Sequence, residues 1–296
     1  MYNAFFGFSK SPFSMSPDPE FLFRSEQHDE ALANLIYGVQ TRKGFIVLTG
    51  EVGTGKTTML ECLREYMTAQ RIAFASLFNS RLTVEQFFEM LAYDLDLHCN
   101  RLSKTEVLLS LNHLLLERAA AGRTTVLIVD EAHNLGWDVL EEIRLLGNLE
   151  TRHGKLLQII LAGQQELDRK LEAPAYRQLK QRIALRSVLR GFTPDETTAY
   201  INSRFERAGM PGQRIIDAQV MEEIHRRTEG MPRLINGVCD NLLLTAFAME
   251  SCTCTLAMLD EVSADMRLTP PHQPSYGPEP DFPEQGFRTS HPFRDK

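Results

Sequence analysis

At 296 residues, with 43% hydrophobic and 24% charged side chains, the chain is long enough for one large α/β core and a smaller second domain. A formal net charge of −7 argues against a dedicated nucleic-acid binder. No run approaches the ~18 apolar residues of a membrane helix, and no charged flank precedes an apolar signal core, so a cytoplasmic chain is expected. The five cysteines are scattered. His98-Cys99 and Cys252-Thr253-Cys254 each lack a matching second pair, so neither disulfides nor a zinc site is expected.

In chain order, the first strong signal is the apolar strand Phe45-Ile46-Val47-Leu48-Thr49 running into Gly50-Glu51-Val52-Gly53-Thr54-Gly55-Lys56-Thr57, which fits G-x-x-x-x-G-K-[ST] in full. A helix-like segment follows from Thr58 to Met67. Strand, glycine-rich loop and helix together make a phosphate cradle: loop N–H groups and the helix N-terminus face the phosphates. Lys56 is then placed for the β- and γ-phosphates and the Thr57 hydroxyl for Mg²⁺, with Thr58 opening the helix behind them. Further on, Ile72 to Phe78 reads as a strand, and Thr83-Val84-Glu85-Gln86 and Ser103-Lys104-Thr105-Glu106 read as capping boxes opening two helices. The second of these helices is apolar nearly all round through Leu108, Leu109, Leu111, Leu115 and Leu116, which predicts packing against a sheet. Cys62 reads as a small buried hydrophobe.

Thr125 to Val129 is a continuous β-branched and apolar run, as in a strand covered on both faces, and it ends in Asp130-Glu131. Asp130 there can hold Mg²⁺ through water, and Glu131 can take a proton from water attacking a γ-phosphate. A further buried strand, Leu156 to Gly163, precedes Gln164. After Arg190-Gly191-Phe192 the pattern turns to helices only, opened by the capping box Thr193-Pro194-Asp195-Glu196. From Thr269 the composition is rich in Pro, Gly, Ser, Glu and His, too poor in apolar residues to order itself; Phe282, Phe287 and Phe293 leave a docking peptide open.

The N-terminal residues carry a resemblance. Phe5-Phe6-Gly7-Phe8, Pro12-Phe13, Pro17-Asp18-Pro19, Phe21-Leu22-Phe23, Ser25, His28 and Tyr37-Gly38-Val39, leading into the glycine-rich loop, resemble AAA+ ATPases of the general secretion pathway A (ExeA/GspA) type over residues 1 to 265. The resemblance implies a P-loop NTPase, a three-layer α/β/α parallel sheet with a C-terminal α-helical lid. The divisions are 1–43 as the N-terminal segment, 44–192 as the ATPase domain, 193–265 as the lid and 266–296 as a disordered tail. ATP and Mg²⁺ are the implied ligands.

Residue by residue, Gln164 matches the sensor 1 position that orients the attacking water, and Arg233 in Gly230-Met231-Pro232-Arg233 resembles the sensor 2 arginine of the lid. Arg182 resembles the arginine finger that a ring neighbour inserts, with Arg186 as its competitor. Asn79 resembles a polar switch for the catalytic Glu; an ordinary turn-forming Asn fits equally. The implied partners are further copies of the chain in a ring and a membrane-associated secretion or export partner that recruits it. The longer members continue into a transmembrane helix and a peptidoglycan-binding domain, where this chain has its Pro-rich tail. A DNA-transposition ATPase of the MuB or TniB kind is the alternative, favoured by the basic stretch Arg177, Lys180, Arg182, Arg186 and Arg190.

Overall fold

A computed structural model describes residues 2–14, 21, 23–78, 81–97, 103–152, 154–210 and 215–268. Asn79, the His98-Cys99 pair, Pro17 to Pro19, Leu22 and the tail from Thr269 lie outside the described residues. The central sheet is parallel and five-stranded: β1 (Phe45–Gly50), β2 (Ala73–Leu77), β3 (Thr125–Val129), β6 (Leu157–Gly163) and β7 (Ile183–Leu189), in the order β2-β3-β6-β1-β7. A short antiparallel pair, β4 (Glu150–Thr151) with β5 (Gly154–Lys155), stands apart from it.

Every residue of β1, β3 and β6 is buried, because helices cover both faces. Alternate side chains of β1 point to opposite layers. Ile46 and Leu48 pack with α2 (Glu26–Gln40) and α3 (Lys56–Ala69), whereas Phe45 and Val47 share a core with α4 (Val84–Asp94), α5 (Lys104–Ala120), α6 (Trp137–Leu146) and α7 (Gln165–Glu172). The helices that follow the adjacent strands β1 and β6 therefore lie on opposite faces, which opens a crevice between the C-terminal ends of those strands.

The caps read from sequence are present. Thr83 and Thr193 each form a full capping box, with Gln86 and Glu196, and the Ser103 hydroxyl accepts from the Glu106 N–H. As expected, α5 shares a core with the sheet residues of β2, β3 and β6, but it does so through one face only. Val107, Leu111 and Leu115 form its buried stripe, while Leu109 is 67% and Leu116 43% exposed. The helix lies on α4 at the rim of the layer, so only one face of its 3.6-residue period meets the core. Cys62 is only partly buried against the α2–α3 face, and that burial raises its thiol pKa.

After the four-residue α8 (Arg177–Lys180) and β7, the chain becomes helical: α9 (Pro194–Arg207), α10 (Ala218–Thr228), α11 (Pro232–Ala248) and α12 (Leu256–Asp265). Their core includes Tyr200, Ile201, Phe205, Val220, Ile224, Leu242 and Leu259. Phe6 of α1 (Tyr2–Phe6), with Phe8 and Phe13, is built into this helical core rather than onto the sheet. Phe13 is fully buried and meets Phe205 edge to face. Met266 and Leu268 still pack against the same core beyond the end of α12.

Candidate active site

The glycine-rich loop leaves the C-terminal end of β1, and α3 begins at Lys56 with Gly55 as its left-handed N-cap. Gly53 has φ +84°, and a Cβ there would come within 2.6 Å of the Arg233 Cβ. Only a residue without a side chain lets the loop curl while the first turn of α11 rests on it. The Arg233 N–H also reaches the Gly53 carbonyl at 3.4 Å.

Lys56 is 6% exposed, and its ammonium donates to the carbonyls of Gly50 (2.8 Å) and Glu51 (2.7 Å). Burial lowers its pKa, against the opposing pull of Glu131, Asp130, Glu166 and Glu51. Thr54 is fully buried and its hydroxyl donates to the Glu51 carbonyl, a contact that holds the loop's own shape. Glu51 is exposed and faces a second groove toward α7 and α10.

A cavity of about 380 Å³ lies over the loop. Lys56, Thr57, Thr58, Glu131, Gln164 and Arg233 line its polar end. The other end is aromatic, made by Phe21, Phe23, Phe192 and Tyr200 with Arg204 and Asn236. Strands β1, β3 and β6 deliver the loop, Glu131 and Gln164, and the C-terminal helical region delivers Arg233.

Asp130 and Glu131 sit at the tip of β3. Asp130 is 7% exposed; burial raises its pKa, while the Glu131 N–H donating to its Oδ1 (2.8 Å) lowers it. The Arg64 guanidinium, tied to Ser76 (3.2 Å) and Glu61 (2.5 Å), adds positive charge beside this carboxylate. Glu131 takes φ +51° as the strand breaks into the turn Ala132–Asn134, and its Oε2 lies 3.4 Å from the Gln164 side-chain nitrogen. Thr57 and Asp130 supply hard oxygen donors of the kind Mg²⁺ takes, and few of them, as suits an ion that keeps waters and phosphate oxygens in its shell.

The two arginine candidates are elsewhere. Arg182 immediately precedes β7, whose Ile183 pairs with Phe45 at the start of β1, so it lies at the N-terminal end of the strands, opposite the end that bears the loop and roughly 20 Å away by strand rise. Its guanidinium donates to the Arg144 carbonyl at 3.2 Å. Arg186 is paired with Asp168 at 3.0 Å. Neither lines the chain's own cavity.

Three residues at the site were not assigned roles from sequence. His28 is 4% exposed and bridges the Ser25 hydroxyl (2.7 Å) and the Thr54 carbonyl (3.0 Å), bracing the loop from α2; in the sequence it stood only as part of the N-terminal resemblance. Arg204 lies against Phe21, with its guanidinium 4.5 Å from the ring, and donates to the Pro12 carbonyl at 2.5 Å, binding the N-terminal residues to α9. His133, two residues past Glu131, contacts both Glu131 and Gln164.

Residues 39–171 match the model of the AAA domain family. Over 254 residues, 85% of this chain, the sequence is 44% identical to General secretion pathway protein A of Aeromonas hydrophila. The chain is AAA-type and similar to that secretion-pathway protein. It spans 46% of that relative's length. The P-loop AAA fold with its helical C-terminal region recurs in solved structures. Cdc6p from Pyrobaculum aerophilum superposes with a TM-score of 0.64 at 19% identity, over 86% of this chain and 70% of that one. The Aeropyrum pernix ORC2 protein, in ADPNP-ADP complexes, gives 0.61 at 15%, over 87% and 72%. The RuvB Holliday junction branch migration motor of Thermotoga maritima gives 0.55 at 14%, over 83% and 70%. At such identities the likeness speaks for the fold alone. Among the described residues no helix is long and apolar enough to cross a membrane.

Proposed function

We propose that this chain binds ATP in the cavity beneath the helical domain and hydrolyses it. The single observation that supports this most is the convergence of Lys56, Thr57, Glu131, Gln164 and Arg233 on one cavity. In this reading 44–192 is the catalytic domain and 193–265 its lid, with the aromatic end taking the base and the loop taking the triphosphate. Lys56 exchanges the Gly50 and Glu51 carbonyls for phosphate oxygens. Gln164 orients a water, Glu131 takes its proton, the new P–O bond forms at the γ-phosphorus, and the bond to the bridging oxygen breaks. A bound Mg²⁺, held through Thr57 and Asp130, would neutralise charge on the phosphates.

The expected test is a pair of variants. Lys56→Ala loses binding of a fluorescent ATP analogue, whereas Glu131→Gln keeps binding and stops phosphate release. Tight nucleotide binding by Lys56→Ala protein, or normal turnover by Glu131→Gln protein, overturns the assignment.

From the secretion-pathway relative we further infer that turnover energises assembly of a cell-envelope secretion or export system, as a ring of copies recruited by a membrane-associated partner. The DNA reading is less well supported. Its basic stretch is largely spoken for: Arg186 pairs with Asp168, Lys180 with Glu172, and Arg182 bonds the Arg144 carbonyl.

A further inference from the structure

Glu131 does not reach its position by strand geometry alone. The strand ends with Glu131 in a left-handed conformation, and the next residues close a single tight turn. That turn is held from α7, where the Lys170 ammonium donates to the carbonyls of His133 and Leu135, both at 2.7 Å. It also packs against β6 so closely that a Cβ on Gly163 would come within 3.3 Å of the His133 backbone nitrogen. The His133 ring is nearly enclosed, with 10% of its side chain exposed, and lies between two residues of the proposed reaction.

Its Nδ1 accepts the backbone N–H of Gln164 at 3.3 Å. A neutral ring that accepts at Nδ1 carries its proton on Nε2. The Nε2 atom lies 3.5 Å from Glu131 Oε2, and the Gln164 side-chain nitrogen donates to the same oxygen at 3.4 Å. Contacts of this length are loose, as catalytic hydrogen bonds in a ligand-free site commonly are before substrate tightens them.

We propose that His133 is a positioning residue: one imidazole reads the backbone of Gln164 with one nitrogen and orients the Glu131 carboxylate with the other. Both donors converge on Oε2, which leaves Oε1 to take the proton of the attacking water. Because Gln164 also borders the groove shared with Arg233 and α10, the imidazole links the lid side of the site to the base. This rests on the ATPase reading above and adds to it a residue that the reading does not use.

Only histidine supplies both contacts, so the two amides separate them. Asn at 133 keeps an acceptor near the Nδ1 position and has no donor reaching Glu131; Gln keeps a donor near the Nε2 position. The test is steady-state ATP turnover, with equilibrium binding of a fluorescent ATP analogue, on the full chain carrying His133→Ala, His133→Asn or His133→Gln. The expected result is a kcat lowered about 10- to 100-fold for Ala and Asn, the range typical of residues that orient a catalytic group from behind. KM and analogue affinity stay within about threefold, and Gln recovers turnover to within about fivefold of wild type. Wild-type turnover in the Ala variant overturns the proposal, as does a loss in KM alone, or rescue by Asn as good as by Gln. A wild-type chain that releases no phosphate removes the ATPase reading itself, and this inference with it.

Discussion

His28 is a base buried beneath the loop it braces, and burial lowers its pKa below the ordinary 6.5, against the raising influence of its Thr54 bond and of Glu196 and Asp29. In the window just below pH 6.5 the unfolded chain therefore binds more protons than the folded one, so stability falls as pH drops from about 6.5 toward the folded-state value. His225, whose pKa is also lowered by burial, acts in the same direction. His28→Asn should remove only the His28 share. We expect a lower melting temperature at pH 7.5, from about 1–2 kcal/mol of lost hydrogen bonding, and a shallower decline between pH 7 and 5. Thermal melts of both proteins across that range check it; equal slopes would remove His28 from the account. At the same scale, the Lys56→Ala and Glu131→Gln pair separates phosphate binding from water activation, the property on which the proposed function depends.

At the scale of elements, a backbone contact ties the end of β7 to the helical region. Gly191-Phe192 leads from β7 to α9, and the Phe192 N–H donates to the Gly230 carbonyl at 2.8 Å, just ahead of the helix that bears Arg233. Gly230 has φ +70°, and a Cβ there would collide with the Phe192 carbonyl oxygen. Gly230→Ala combines backbone strain with a clash that no rotamer relieves, so we expect a loss of about 3 kcal/mol or more in urea unfolding. Thr193→Ala removes one capping side chain from α9 and should cost only about 1 kcal/mol. Equal effects from the two would mean that this backbone contact yields easily. In ATP turnover the glycine variant should also lose more activity, because its turn positions Arg233 over Gly53.

For the whole molecule, the position of Arg182 decides what can be asked. It lies at the opposite end of the strands from its own loop, so any action on a γ-phosphate must be on a neighbouring copy. Turnover per subunit should therefore rise with protein concentration. Mixing inactive Arg182→Ala protein with inactive Lys56→Ala protein should restore part of the activity, since one chain's arginine then serves the other's loop. No recovery in a mixture shown by sedimentation to co-assemble would move the role to Arg186 or remove the ring. DNA should bind weakly: the net charge is −7 and Lys180 and Arg186 of the basic stretch are already in ion pairs, so affinity should fall by orders of magnitude between about 50 and 200 mM salt if six or more phosphates are contacted. Cooperative, ATP-dependent coating of duplex DNA at ~150 mM salt, with stimulated turnover, would overturn the secretion reading and support the transposition one.

The phosphate loop, the Asp130-Glu131 pair and the caps of α4, α5 and α9 were legible in the sequence because each is a local pattern: its physics is complete within a few residues and a flanking strand or helix. Gln164 and Arg233 needed a family resemblance as well, since nothing in their neighbours alone points to a phosphate. What the sequence left undecided depends on residues far apart in the chain. Period cannot say which face of α5 is covered, and its outer leucines proved exposed. No local signal announces that Phe6, Phe8 and Phe13 complete the helical core, some 200 residues distant, or that His28 braces Thr54. Nor could spacing alone reveal that His133 lies between Glu131 and the backbone of Gln164. Those contacts exist only once parallel strands bring β3 and β6 side by side, because long-range packing chooses among side-chain partners that local chemistry leaves equivalent.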